Sequence, residues 1–191
     1  MPSINLIVLL IVILPSSKEI RITTELGTDI RTSVTEVHGA TPGLYTEKGL
    51  WGNLPTGEVD SGVKNTNGKL IVDASFGGLG KINSPLTLTI KDNKVESIEG
   101  ERADELKEML DKVGKDAYKM AELGIGTNEK AIVTGNILED EKVKGTIHMA
   151  VGNDMSYGGE NNVPIHLDGV ISKPTIYIDD KMIMKNREFL L

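Results

Sequence analysis

Two short segments set histidine and carboxylate side chains at strand spacing. In Ile165-His166-Leu167-Asp168, apolar residues alternate with a histidine and an aspartate. In an extended chain His166 and Asp168 therefore share one face, with Ile165 and Leu167 on the other. Two residues along a strand span about 6.6 Å, so both side chains can converge on one ion or on two adjacent ions. Thr146-Ile147-His148-Met149-Ala150-Val151 repeats the pattern, with His148 opposite Ile147, Met149 and Val151. Glu122 likewise opposes Ala121 and Leu123. Taken singly, each is most simply the solvated face of an antiparallel sheet. Taken together, they point to a metal. The chain has no cysteine, which excludes disulfides, thiolate zinc, iron–sulfur clusters and cysteine nucleophiles. Histidine and carboxylate donors without thiolate suit zinc, manganese or cobalt in a hydrolytic site. The third histidine, His38, sits in a glycine-rich stretch with no such pattern and is given no role.

Other chemistries find weaker footing. Gly124-Ile125-Gly126 lacks the third glycine of a dinucleotide fingerprint, and Gly77-Gly78-Leu79-Gly80 lacks the Lys-Ser/Thr of a phosphate loop. Ser75 has no leading glycine for a nucleophile elbow. Glu139-Asp140-Glu141 reads as a helix start or an exposed face, with support of a metal site as the alternative. With 21 Lys+Arg against 28 Asp+Glu the net charge is −7, which disfavours nucleic acid. Only 4% of the residues are aromatic, which argues against a base-stacking platform.

The elements that must position these side chains are mostly strands. The chain of 191 residues is 39% hydrophobic, enough for a single core. Leu6 to Leu14 is unbroken apolar sequence. Nine residues are about half of the ~18 needed to span a membrane, and no basic residue precedes them as in an export signal. Their β-branched content fits a buried strand equally well, with an export signal or a mis-called start as the alternatives, and a cytoplasmic chain is expected. Glu19–Glu25 and Asp29–Ser33 read as a hairpin, and residues 38–57, with five Gly and two Pro, as a long loop. Lys69–Ser75 follows as a strand after a turn at Asn65–Gly68, and a second hairpin joins Leu86–Lys91 to Val95–Ile98. Glu101–Val113 carries a helical apolar stripe, with Gly114 to end it. Further strands lie near Tyr118–Leu123, Thr146–Val151, Ile165–Ile171 and Thr175–Ile178. The expected class is α+β, a mostly antiparallel or mixed sheet with one long helix and glycine-rich loops. Residues 1–18 form an apolar lead segment, and 19–191 the metal-binding domain.

Five segments, in order, carry a resemblance: Trp51-Gly52-Asn53-Leu54-Pro55-Thr56-Gly57-Glu58-Val59, Ala121–Asn128, Gly135–Glu141, Gly145–Gly152 and Pro164–Gly169. Together they resemble the aminopeptidase T / aminopeptidase S family of metallopeptidases, from about Glu19 to Met184. The resemblance covers only that family's carboxy-terminal, metal-binding part. It implies a pair of divalent metals (zinc, cobalt or manganese) held by Glu58, Glu122, His148, His166 and Asp168. The family's tyrosine ligand falls by count on Met155, and the nearest tyrosine is Tyr157.

On this resemblance the expected function is removal of amino-terminal residues from peptides by a metal-activated water. Glu58 or Glu122 would act as the proton-carrying base. The expected partners are a peptide with a free amino terminus and a second copy of the chain, with no nucleic acid and no membrane. The alternatives are a metal binder without catalysis and a structural, oligomer-forming domain.

Overall fold

The structure, a computed structural model, describes residues 3–191, and of residues 36–38 the backbone alone. In chain order the elements are α1 (Ile4–Ile13), β1 (Ile20–Thr23), β2 (Asp29–Ala40), β3 (Glu58–Val72), β4 (Ser75–Phe76) and β5 (Gly80–Lys81). Then come β6 (Leu86–Lys91), β7 (Lys94–Gly100), α2 (Ala103–Val113), β8 (Met120–Gly126), α3 (Ile137–Asp140) and β9 (Ile147–Gly152). The chain closes with β10 (His166–Ile171), β11 (Thr175–Ile178), β12 (Lys181–Lys185) and β13 (Glu188–Phe189). Among the described residues the strands make one antiparallel sheet, ordered β13-β12-β11-β1-β2-β3-β8-β9-β10-β4-β5. The α+β class holds.

Strand β3 is long enough to serve two sheet regions. Its first half pairs with β8 (Glu58↔Gly126 to Gly62↔Glu122), and its second half pairs with β6 (Gly68↔Ile90 to Val72↔Leu86). The sheet forks there, with the β6–β7 hairpin carrying α2 on one branch and the polar strands β8–β10 on the other. The turn expected at Asn65–Gly68 does not form. Asn65 and Gly68 adopt positive φ within β3 instead, where the register with β2 shifts. A Cβ on Gly68 would overlap the Asp29 carbonyl, so the kink needs glycine.

The core is the apolar reverse of the strands. Val59, Val63, Leu123, Ile125, Ile147, Met149, Val151 and Ile171 belong to one buried cluster with Leu106 and Leu110 of α2. Helix α2 follows its stripe, and the Gly114 N–H closes it on the Leu110 carbonyl.

The apolar lead segment is a helix, not the expected strand. Leu6, Ile7, Leu10 and Leu14 are buried at helical spacing, while Ile4, Val8 and Val12 face out. The run lies across β2 and β3 rather than beside a free sheet edge, so only a helix satisfies its backbone groups internally. Among the described residues no helix is long and apolar enough to cross a membrane. His38 falls in β2, not in the loop, and its side chain lies outside the described residues.

Candidate metal centre

Strand alternation builds the centre row by row. Glu58, Asp60 and Gly62 on β3, Glu122, Gly124 and Gly126 on β8, His148, Ala150 and Gly152 on β9, and His166 and Asp168 on β10 occupy one face. Pairing aligns Gly62, Glu122, Ala150 and Asp168 across four strands, and Asp60, Gly124 and His148 in the next row. Between the functional side chains stand glycine and alanine, which leave a bowl. The bowl is tight, since a Cβ on Gly124 would overlap the His148 imidazole and one on Gly39 the Asp60 carboxylate.

Glu122 is the hub. His148 Nε2 lies 3.1 Å from Glu122 Oε1, and His166 Nε2 lies 2.8 Å from Glu122 Oε2. His166 Nε2 is also 3.5 Å from Asp168 Oδ1. On the far side of its ring, His166 Nδ1–H donates to the Asn153 carbonyl at 2.7 Å, which turns Nε2 toward the carboxylates. Tyr157 stacks on the His166 ring at 5.4 Å, whereas Met155 is exposed. Burial pushes the Tyr157 hydroxyl pKa up, and the Glu122 charge adds to it. Burial would raise the Glu122 carboxyl as well, but hydrogen bonds to His148 and His166 overcome it and hold it well below the carboxylate range.

The structure thus brings together Glu122, His148, His166 and Asp168, with Glu58 and Tyr157 at their edge. Glu58 Oε2 is 3.7 Å from His148 Nε2, while Glu58 Oε1 accepts from Lys142 Nζ at 2.6 Å. Two further residues, Lys142 and Asp60, escaped the sequence reading, and a third, Glu141, takes the alternative it left open. Glu141, expected at a helix start or on an exposed face with support of a metal site as the alternative, is buried, hydrogen-bonded to Lys142, and close enough to His148 and Asp168 to share an ion with them. Lys142 itself is only 3% exposed. Asp60 is buried, and desolvation together with the charges of Glu122 and Glu58 pushes its carboxyl to about 7.

Sequence pattern hides the Glu141-Lys142 pair because it sits in a charged run with no alternation. The available signal is Asn136, whose side chain caps the single turn of α3 at the Leu138 N–H. Asp140 then accepts from the Thr134 and Gly135 N–H groups at 2.6 and 2.9 Å, so the next two residues turn inward.

These residues fit a divalent cation. Glu122, His166 and Asp168, and separately Glu141, His148 and Asp168, offer donor atoms within 4.8 Å of one another. Glu58 Oε2 and His148 Nδ1 are buried polar atoms with no hydrogen-bond partner among the described residues. Leaving such atoms unsatisfied is costly unless a ligand meets some of them.

A family model described as NicX, 2,5-dihydroxypyridine 5,6-dioxygenase, matches residues 10–190. Among solved structures, the 2,5-dihydroxypyridine dioxygenase of Pseudomonas putida KT2440 superposes with a TM-score of 0.85 at 18% identity, over 99% of this chain and 60% of that one. Wild-type AmpT of Thermus thermophilus superposes with a TM-score of 0.68 at 15% identity, over 98% of this chain and 53% of that one. At these identities the likeness to each structure is one of fold, and this chain spans less than two thirds of either. No curated protein matches by sequence. The distant relation to the aminopeptidase T fold stands, but the expected peptide hydrolysis does not. The family match and the dioxygenase neighbour overturn the aminopeptidase, protease and hydrolase assignment. The physical reason is that histidine and carboxylate donors on a sheet serve hydrolytic and oxygenating metals alike, so the donor set does not choose the reaction.

Proposed function

The chain belongs to the NicX, 2,5-dihydroxypyridine 5,6-dioxygenase, family, and on that premise we propose that it is a metal-dependent enzyme domain that opens a dihydroxylated pyridine ring with dioxygen. The observation that carries this reading is the convergence of His166, Asp168 and Glu122 on one point at the bowl's more open side. The His166 and Asp168 side chains are 26% and 16% exposed, so this set meets solvent through them, whereas Glu122 at 4% and His148 at 1% are buried. The three converging donors are one imidazole and two carboxylates, and His148, 3.1 Å from Glu122, adds a second imidazole; such a mixed nitrogen and oxygen set would hold iron(II). Iron(II), when bound there, supplies the redox chemistry that dioxygen requires and that zinc cannot supply.

The chain's own residues do the rest. The Asn153 carbonyl holds His166 in one tautomer. Glu122 ties the two imidazoles through its two oxygens, and Tyr157 covers one face of His166. The apolar reverse of β8–β10 keeps the donors rigid.

The test is to load chelator-treated protein with iron(II) under nitrogen, add 2,5-dihydroxypyridine and admit oxygen. Oxygen uptake and loss of the pyridine absorbance in equal amounts are expected with iron and not with zinc. Iron bound at this centre with no oxygen uptake would refute the assignment.

A further inference from the structure

The bowl offers donors for more than one cation. Besides Glu122, His166 and Asp168, the set of Glu141, His148 and Asp168 brings ligand atoms within 4.8 Å of one another. Glu58 borders this second set, with Oε2 3.7 Å from His148 Nε2. His148 stands between the two sets, since its Nε2 is also 3.1 Å from Glu122 Oε1. The Glu58 and Glu141 side chains are only 9% and 8% exposed. Two carboxylates buried this close together need a cation between them.

The cation between them belongs to the chain. Lys142 Nζ donates to Glu58 Oε1 at 2.6 Å and to Glu141 Oε1, and its side chain is 3% exposed. Its backbone is clamped on both sides. The Lys142 N–H donates to the Glu139 carbonyl, and the Lys142 carbonyl accepts from the Asn128 N–H, each at 2.9 Å. Gly126 on β8 lets this segment approach, because a Cβ there would overlap the Val143 and Glu141 carbonyls. A metal ion shared by Glu58 and Glu141 would compete with the ammonium for the same oxygens. One bound on their other oxygens would face a fixed positive charge across a single carboxylate, with little water to screen it.

We propose that Lys142 is a built-in cation that fills the second cation position of the bowl and so limits the centre to one metal ion. The inference rests on the metal-binding part of the function proposed above and adds the residue that sets the metal count. With Glu58 and Glu141 taken by the ammonium, His148 and Asp168 are left to the ion at Glu122 and His166. An ammonium offers three N–H donors and no coordination position, so it offsets the buried carboxylates without binding water or dioxygen as a metal does. Lys142 is therefore a positioning residue for the centre.

The experiment counts metal, not turnover. Chelator-treated parent and Lys142→Met are equilibrated with manganese(II), which takes oxygen and nitrogen donors and gives a paramagnetic signal. The parent is expected to hold one ion per chain, with the six-line spectrum of an isolated ion. Lys142→Met should hold two, with the spectrum broadened by coupling between neighbouring ions. Adding Glu58→Gln to that variant should return the count to one, which a general loosening of the site would not do. If Lys142→Met does not fold, Lys142→Ala is refolded with methylammonium in place of the lost head group, and removal of the amine should admit the second ion. Two ions on the parent, or one on parent and variant alike, overturn the inference. A folded variant that holds no ion also overturns it, because the lysine would then support the first ion instead of closing a second position. The two readings fail separately: one ion on the parent and two on the variant, without oxygen uptake, removes the dioxygenase assignment alone. One ion on both, with oxygen uptake, removes the role of Lys142 alone.

Discussion

Each imidazole of the centre is a pH-sensitive group with a definite sign. Burial disfavours charge on both, yet the Glu122 carboxylate holds His148 up at about 10, and Asp168 with Glu122 holds His166 at about 11. Both lie above the ordinary histidine value of about 6.5. In the metal-free protein these cations contribute stability that is complete below about pH 6.5 and is lost as pH rises through 10 to 11. The urea midpoint of chelator-treated protein is therefore expected to fall between pH 7 and 11, and a flat profile would show that the imidazoles are not held as cations. A metal must displace those protons, so adding iron(II) near pH 8 in weak buffer should acidify the solution. His166→Ala is expected to lower metal affinity at least about a hundredfold, because the ligand and its Asn153-directed orientation go together. Its urea midpoint should fall near pH 7, because the cation paired with Glu122 is lost, but the variant should still fold, since His166 faces away from the core cluster. Unfolding of that variant would show the face assignment to be wrong.

Elements bring the side chains together by register. Gly124 pairs with His148 across β8 and β9, and the His148 ring occupies the space above it. Gly124→Ala is expected to cost about 1–3 kcal/mol in denaturant unfolding, the usual range for overpacking, and to lower metal content as the ring is pushed aside. Retention of both stability and metal would mean that the bowl has slack. Helix α2 belongs to the other branch of the fork, where Leu110 is fully buried. Leu110→Ala should cost about 2–5 kcal/mol through the cavity it leaves, while the folded fraction keeps its metal affinity because α2 supplies no donor. Loss of affinity in that folded fraction would show that the two branches are mechanically coupled.

At the scale of the whole molecule, folding and metal binding are one equilibrium. Donors from β8, β9 and β10 converge only in the folded chain, so the ion binds the native state and stabilises it by mass action. At a free-metal concentration a hundred times Kd, the linkage is worth about 2.7 kcal/mol. For a chain of this length that corresponds to a rise of roughly 5–11 °C in Tm. Scanning calorimetry with chelator and with saturating iron(II) should show that difference. Equal Tm values would mean that the centre does not bind the ion tightly in the native state.

What the sequence determined by itself was the face of each strand. His148, His166, Asp168 and Glu122 could be placed opposite apolar residues because side-chain direction in a strand depends only on the period of two. The end of α2 at Gly114 was legible for a similarly local reason, since a glycine at that position permits the turn out of a helix. The tertiary structure decided what lay beyond such local rules. The apolar lead segment became a helix because its neighbours left it no sheet edge, although its β-branched composition favours a strand equally. Glu141 and Lys142 entered the site because a one-turn helix capped by Asn136 and Asp140 reversed a charged run inward, an arrangement with no periodic trace. Which reaction the centre serves was also beyond the motifs, because imidazole and carboxylate donors are shared by peptidases and oxygenases. The buried ion pair beneath the loop forms only when Glu58 of β3 meets a lysine 84 residues further along the chain. Pairings at that separation are set by packing of the whole sheet, and no local pattern encodes them.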